Sequence, residues 1–298
     1  MSDHSITNLP ASVRQRLLNL SRTKKEPFDR ILSRYAVERL LYRLSRSSYR
    51  DRFFLKGAML FSLWFEDMHR PTRDVDLLGH GDDDEPALER IFGELCDLEV
   101  EPDGLVFHSD SVQAERIREA AAYSGIRVTL RATLENAKVH VQVDVGFGDH
   151  VTPDAENVDF PTLLDFDAPK LRAYPVYTVV AEKLEAMVSL GETNTRMKDF
   201  FDLWFLSRQT DFDGTILSEA IRATFLRRRT QIPENIPPPL SDTFAEANSI
   251  QWRAFLNKNG LAQTPFIQVI RELREFISPN LLSRDPESKR WKPDIRWY

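Results

Sequence analysis

The pattern of hydrophobic and polar positions changes its period twice along the chain. Residues 11–22 and 27–47 repeat apolar positions every three to four residues, which predicts two helices. Residues 104–147 instead alternate apolar and polar positions, which predicts strands, with residues 135–138 as a hairpin turn. The helical period returns after Pro175 and predicts helices over residues 178–190, 196–208, 214–229, 241–258 and 263–276.

Shorter segments fill the intervals between these regions. Thr178 is a plausible N-cap, and Gly191 closes the same helix. Residues 148–175 are rich in Asp and Pro and are interpreted as a linker, and the tail from Ser278 has no clear period. The remaining predicted elements are strands at 53–57 and 73–79 and helices at 58–67 and 85–97.

This order of elements predicts an α+β protein in three parts. Residues 1–50 form a helical basic N-terminal arm, residues 51–160 a small α/β domain with a mixed sheet, and residues 161–298 a helical C-terminal domain. The 298 residues, of which 42% are hydrophobic, are enough for such a core.

Cysteine usage and hydropathy exclude several classes of protein. The chain has one cysteine, Cys96, so an intrachain disulfide framework and a multi-cysteine zinc site are both excluded. We find neither a signal-peptide pattern nor a run of about 18 apolar residues that could span a membrane. We therefore expect a cytoplasmic protein without a membrane partner.

Charge is distributed unevenly along the sequence. Residues 1–56 carry 13 Lys and Arg against 5 Asp and Glu, whereas residues 57–170 carry 9 against 25. A basic arm beside an acidic centre is typical of a protein that binds a polyanion with one part and cations with the other. The alternative is two solvated faces of opposite sign, and charge by itself favours that alternative.

The strongest chemical feature is the pair Asp74 and Asp76 in an apolar strand. Alternate strand residues share a face, so both carboxylates point the same way and would repel each other without a cation between them. Oxygen ligands of this kind suit Mg²⁺ or Mn²⁺. The alternatives are a solvent-facing strand edge and a calcium loop, and Leu78 disfavours the latter because it offers no side-chain oxygen.

A third carboxylate, Asp144, lies on the polar face of the predicted strand that ends near Phe147. If this strand lies beside the 73–79 strand, Asp144 faces the same point as the Asp pair. Three carboxylates could then bind two metal ions about 4 Å apart, which suits in-line nucleotidyl transfer. The predicted metal ligands are therefore Asp74, Asp76 and Asp144.

Two further segments could contact phosphates. Lys56, Gly57 and Ala58 precede a predicted helix, where a glycine lets backbone N–H groups approach a phosphate, although most such glycines only form a turn. Lys183 lies on an otherwise apolar helix and could reach a triphosphate. Arg196, Asp199 and Asp202 follow at helical spacing, and the alternative for this group is an ordinary network of salt bridges.

Taken in order, these motifs resemble the AbiEii/AbiGii toxin family, whose members are nucleotidyltransferase-fold toxins of abortive-infection and type IV toxin–antitoxin systems. The resemblance covers roughly residues 50–230 and implies a polymerase-beta-like nucleotidyltransferase fold. It rests on residues 55–60 (LKGAML), 70–79 (RPTRDVDLLG), 143–149 (VDVGFGD), 181–186 (AEKLEA) and 196–203 (RMKDFFDL).

The resemblance also implies roles for individual residues. Asp74 and Asp76 would bind the metal, Lys183 would contact the NTP phosphates, and Asp199 would activate the acceptor or orient Lys183. Asp144 would be the third acid of the general fold. Ala58 departs from the family pattern, which has Ser or Gly after the glycine. The nucleotide-binding residues would be Lys56, Gly57, Ala58, Lys183, Arg196 and Asp202.

The resemblance implies a metal-dependent enzyme that transfers a nucleotide from an NTP to an acceptor, most plausibly the 3′ end of tRNA. It also implies a cognate antitoxin as a partner. Two alternatives remain: a toxin that modifies a protein by nucleotidylation or phosphorylation, and a catalytically silent nucleotide-binding protein, which Ala58 slightly favours.

Overall fold

A computed structural model describes residues 8–65, 72, 74–119, 123–282 and 289–298. The ends of two predicted elements, residues 66–67 and Arg73, lie outside these ranges. The chain divides into two compact units. Unit 1 consists of Met1–Met68, Thr72–Gly148 and Glu156–Ala173, and unit 2 consists of His69–Pro71, Asp149–Ala155 and Tyr174–Tyr298.

Unit 1 is built on a mixed seven-stranded sheet with the strand order β3-β4-β5-β2-β1-β7-β6. The three central neighbours that matter for the site are β5, β2 and β1: β2 runs parallel to β5 and antiparallel to β1. The strands are β1 (Phe53–Lys56), β2 (Val75–Gly79), β3 (Leu105–Glu119), β4 (Tyr123–Leu134), β5 (Ala137–Phe147), β6 (Glu156–Asp159) and β7 (Lys170–Ala173).

The alternation predicted for the central strands is present in β5. Val141, Val143 and Val145 are at most 2% exposed, and the intervening residues Gln142 and Asp144 are only partly buried on the opposite face. The valine face packs against a helical layer, which leaves the other face to carry polar side chains. The helices of unit 1 are α1 (Leu9–Lys24), α2 (Phe28–Arg46), α3 (Phe61–Trp64) and α4 (Glu85–Asp97).

Helix α2 packs against the sheet, and residues 8–52 are part of unit 1. Residues 35–44 of α2 are buried without interruption, and two of them are arginines. Arg39 and Arg43 are 1% and 6% exposed and both bind Asp103, with Arg43 Nη1 donating to Asp103 Oδ2 at 2.7 Å. These positive charges are neutralised inside the protein, which removes them from the basic surface that the sequence suggested.

Part of the predicted linker, residues 148–175, is in fact β-structure. β6 and β7 pair antiparallel, and β7 runs parallel to β1 at one side of the sheet. Leu171 and Ala173 are 1% exposed, so two apolar side chains suffice to anchor a four-residue strand. The many Asp and Pro residues around them concealed this short pattern.

Unit 2 is mainly helical, as predicted, and Gly191 ends the first of its helices with φ +54°. The predicted N-cap is wrong: the helix begins at Val176, and the Thr178 hydroxyl donates to Thr152 O at 2.8 Å. The helices are α5 (Val176–Leu190), α6 (Met197–Gln209), α7 (Gly214–Arg228), α8 (Asp242–Ala247), α9 (Ser249–Asn259) and α10 (Phe266–Leu282).

Two details of unit 2 differ from the prediction. The helix predicted over 241–258 is divided into α8 and α9 at Asn248. The C-terminal tail forms strands β9 (Arg290–Lys292) and β10 (Arg296–Trp297), which join the short β8 (Phe212–Asp213) in a second sheet. Trp291 anchors this sheet, because its side chain is fully buried and its indole N–H donates to Ser207 O at 2.7 Å. Within the described ranges, every helix is too short or too polar to cross a membrane.

Candidate functional site

A row of charged residues crosses the polar face of the central sheet. Lys56 on β1 is the cross-strand partner of Asp76 on β2, Asp76 is the partner of Asp144 on β5, and Asp144 is the partner of Arg127 on β4. Paired residues on neighbouring strands share a face. The predicted placement of Asp76 and Asp144 on adjacent strands is therefore confirmed, with one basic residue on each side of them.

Gly57 approaches Asp76 so closely that no other residue fits at this position. Gly57 has φ +72°, and an added Cβ would lie 1.9 Å from Asp76 Oδ2. Glycine adopts this left-handed conformation without the steric cost that a side chain brings. The turn after β1 thus holds the Asp76 carboxylate against the backbone at the start of the 3-10 segment Gly57–Leu60.

Lys56 brings a positive charge onto the same face. The residue is 7% exposed, and its Nζ would lie 3.2 Å from a Cβ added at Gly146 on β5. The ammonium group therefore extends from β1 across β2 toward β5, where Gly146 leaves room for it. A lysine is seldom buried without anionic partners, and Asp76 is its neighbour in the strand register.

Asp144 is bound by an arginine that the sequence interpretation did not include. Arg127 Nε and Nη2 donate to Asp144 Oδ1 and Oδ2, each at 2.8 Å. The hydrogen bond to Asp144 raises the pKa of Arg127, and the charges of Asp144, Asp74 and Glu115 raise it further. Asp144 is therefore paired with a permanent cation, while it remains the cross-strand neighbour of Asp76.

Asp74 lies at the entrance to β2 and is exposed. Together with Thr129 and Gln142 it lines a cavity of about 530 Å³ beside β5. Within the described residues no group of three or more His, Cys, Asp or Glu side chains could hold a metal ion. Among the described residues, the predicted ligands Asp74, Asp76 and Asp144 do not form such a group, and both oxygens of Asp144 accept from Arg127.

Asp74 and Asp76 still fit a divalent cation of the Mg²⁺ type. Their donors are carboxylate oxygens, the ligands that this ion prefers, and Mg²⁺ usually uses one or two carboxylates and keeps several waters. The absence of a Cβ at Gly57 gives Asp76 Oδ2 its position. These two residues would be its protein ligands.

In unit 2, Lys183 on α5 is clamped between two buried carboxylates of α6. Lys183 Nζ lies 2.9 Å from Asp199 Oδ1 and 2.7 Å from Asp202 Oδ2, and both aspartates are fully buried. Arg196 Nε contacts the second oxygen of Asp199 at 2.6 Å. All four of the predicted residues of this segment are therefore brought together in one ion-paired cluster.

The charge state of Asp199 limits what it can do. Burial raises its pKa, but the attraction of Lys183 and Arg196 outweighs burial, so the net pKa lies below its ordinary value. A carboxylate with a lowered pKa is a weak base at neutral pH. Asp199 is therefore better suited to hold Lys183 in place than to accept a proton from an acceptor hydroxyl.

A second ionic cluster of unit 2 was missed by the sequence interpretation. Arg228 donates to Glu185 Oε2 at 2.9 Å and to Asp149 Oδ1 at 3.1 and 3.2 Å, and it lies 3.4 Å from Glu182. The two glutamates lie on either side of Lys183 in α5. Their spacing of about one helical turn was the available signal, and the sequence interpretation did not connect it with Arg228.

The sequence model of the family "Nucleotidyl transferase AbiEii toxin, Type IV TA system" matches residues 39–279. No curated protein matches the chain. Two solved structures from Helicobacter pylori are similar at low identity. JHP933 is 13% identical, with a TM-score of 0.47, over 79% of this chain and 84% of that chain. A candidate nucleotidyltransferase is 12% identical, with a TM-score of 0.44, over 79% and 87%.

Proposed function

Because the chain belongs to the AbiEii nucleotidyltransferase toxins of type IV toxin–antitoxin systems, we propose that it transfers a nucleotide from an NTP to the 3′ end of a tRNA with the help of Mg²⁺. The family implies an antitoxin partner.

The observation that carries the proposal is the contact between Gly57 and Asp76 beside Lys56. The left-handed glycine presses a carboxylate of β2 against the turn that the family resemblance assigns to the nucleotide phosphates. Asp74, two residues earlier, supplies the second carboxylate. When bound by these two, Mg²⁺ would neutralise charge on the triphosphate.

The protein's own groups then position the reactants. The Lys56 ammonium keeps the Asp76 side of the sheet from accumulating negative charge, and the backbone after Gly57 approaches the phosphates. In unit 2, Asp199 and Asp202 hold Lys183, the residue to which the family resemblance assigns the NTP phosphates. Ala58 offers no hydroxyl, so phosphate contacts at this turn come from backbone N–H groups. Positioning and charge stabilisation supply most of the catalysis.

The reaction is an exchange at the α-phosphorus. The acceptor hydroxyl oxygen forms a bond to this phosphorus, the bond from phosphorus to the oxygen that bridges to the β-phosphate breaks, and pyrophosphate leaves with that oxygen. The hydroxyl proton passes to water. Asp199 stays ionised throughout, as its lowered pKa requires.

The test measures whether label from the α- or the γ-phosphate of an NTP is transferred to RNA or to protein. The full chain is incubated with Mg²⁺, total RNA and cell-lysate protein, and with NTPs labelled at either the α- or the γ-phosphate. We expect α-label to appear in tRNA-sized RNA and γ-label to leave as pyrophosphate. Label in protein from the α- or γ-position would instead support a protein-modifying toxin. Nucleotide binding without any labelled product would support a silent binding protein.

A further inference from the structure

The pair formed by Arg127 and Asp144 has a consequence for how many cations the site can hold. We propose that Arg127 is a positioning residue that neutralises Asp144 and so limits the site to a single divalent cation, bound by Asp74 and Asp76. This inference rests on the proposed function, since it concerns the metal of the same reaction. It replaces a second metal ion by a guanidinium that belongs to the chain.

The geometry of the pair is that of a strong, oriented ion pair. Nε and Nη2 of Arg127 each reach a separate oxygen of Asp144 at 2.8 Å, and the Asp144 side chain is 13% exposed. Bidentate pairs of this kind are shorter and stronger than single hydrogen bonds. With its amide oxygen turned toward Arg127, Gln142 accepts from Nε at 3.1 Å and from Nη2 at 3.2 Å. Two residues of β5, Asp144 and Gln142, therefore fix the guanidinium of an arginine that β4 carries.

The charges around Arg127 favour this arrangement. Arg127 is the cross-strand partner of Glu115 on one side and of Asp144 on the other, and it also interacts with Asp74. A guanidinium does not lose its proton in proteins. Asp144 is thus matched by a charge that is present at every pH the enzyme meets, and a dication placed at Asp144 would face a like charge within a few ångströms.

The other side of the row is arranged differently. Asp76 is held against Gly57 with Lys56 as its cross-strand partner, and Asp74 is exposed at the entrance to β2. Both oxygens of Asp144 accept from Arg127, whereas Asp74 and Asp76 are the two metal ligands of the proposed function. We therefore assign the single cation to Asp74 and Asp76.

The experiment counts bound Mn²⁺ on the full chain without nucleotide, by calorimetric titration and by electron paramagnetic resonance. We expect the natural protein to bind one Mn²⁺, and Asp76→Asn to abolish that binding. Arg127→Met should bind a second Mn²⁺, and the two ions should broaden each other's resonance signal. Arg127→Lys should stay near one ion because the positive charge is kept. Arg131→Met is the matched control, since this exposed arginine lies four residues along the same strand.

The double variant Arg127→Met/Asp144→Asn separates the two accounts even if Arg127→Met does not fold, because it removes both charges of the pair together. It should bind one Mn²⁺ with an affinity within about twofold of that of the natural protein. An affinity loss of about tenfold in this double variant, or two ions in the natural protein, overturns this inference and leaves the proposed function standing. The lack of any Asp76-dependent Mn²⁺ site would overturn both.

Discussion

At the scale of single residues, the backbone conformation of Gly57 determines where the carboxylate of Asp76, a proposed metal ligand, can lie. In Gly57→Ala the new Cβ would fall 1.9 Å from Asp76 Oδ2 and would push that carboxylate away. The left-handed conformation would add a cost of about 1 kcal/mol to stability. We expect nucleotide transfer to fall about 100-fold, the loss that a misplacement of about 1 Å can cause, as measured by label incorporation.

Gly260→Ala is the matched control for that substitution. Gly260 has φ +66°, nearly the same as Gly57, yet nothing lies within 4 Å of an added Cβ. It should therefore lose a similar amount of stability and keep its transfer activity. Equal loss of activity in the two variants would show that backbone strain, rather than the position of Asp76, explains the effect.

Glu38 should make stability depend on pH. Burial raises its pKa to about 7, although the N–H of Leu163 and the charge of Arg39 oppose the shift. The folded protein holds this proton more tightly than the unfolded chain, so Glu38 favours folding below its ordinary pKa of 4.5 and this contribution is lost as pH rises through about 7.

Glu38→Gln should flatten the dependence of the unfolding free energy on pH. The shift corresponds to about 3 kcal/mol as an upper value between pH 4 and pH 8, and urea unfolding at a series of pH values measures it. The exposed Glu99 provides the control, because Glu99→Gln should leave the slope unchanged. A Glu38→Gln variant with the slope of the natural protein would contradict the assignment.

The sequence indicated some site residues and concealed others for physical reasons. Asp74 and Asp76 stood out because two acids with period two interrupt an apolar strand. Arg127 did not, because its pairing with Asp144 depends on the hairpin register. β4 and β5 meet through Glu135 and Asn136, with Leu134 opposite Ala137, whereas the predicted turn at 135–138 shifts every pair by two residues. A two-residue error in a turn thus removed the decisive contact.

At the scale of secondary-structure elements, the contact between α5 and α6 relies on Lys183. Lys183→Met would leave Asp199 and Asp202, both fully buried, without their shared partner. Breaking a buried ion pair from one side costs about 3 to 5 kcal/mol. We expect a matching fall in the unfolding free energy at pH 7, and a smaller deficit in acid, where protonated carboxylates no longer need the lysine.

Lys198→Met is the control for the helix pair, because Lys198 is exposed on α6 one residue before Asp199. It should unfold like the natural protein. If Lys183→Met proved as stable as Lys198→Met, the cluster would be an ordinary network of salt bridges, which is the alternative that the sequence left open.

Elements that were hard to predict share one property: they are short and owe their place to tertiary contacts. β6 and β7 have four residues each and lie in an Asp- and Pro-rich stretch. β9 has three residues, and its Trp291 is fully buried. Long helices and the β4–β5 hairpin carry enough periodic positions to be recognised, whereas one buried side chain in a short strand leaves no period to detect.

At the scale of the whole molecule, several arginines are neutralised by ion pairs with acidic residues of their own unit. Arg39 and Arg43 bind Asp103 in unit 1, and Arg228 binds acids in unit 2, so the basic runs of the sequence overstate the surface open to a polyanion. Composition alone could not show this, because it counts buried and exposed arginines equally. The family assignment, which spans residues 39–279, includes both units.

The most direct test of the central claim is the transfer of α-labelled nucleotide to purified tRNA by three proteins: the natural chain, Asp76→Asn and Asp82→Asn. Asp82 is exposed and belongs to the acidic run after β2, so it matches the charge change without touching the site. We predict that Asp82→Asn labels tRNA like the natural chain and that Asp76→Asn loses at least about 100-fold. Undiminished labelling by Asp76→Asn would contradict the account.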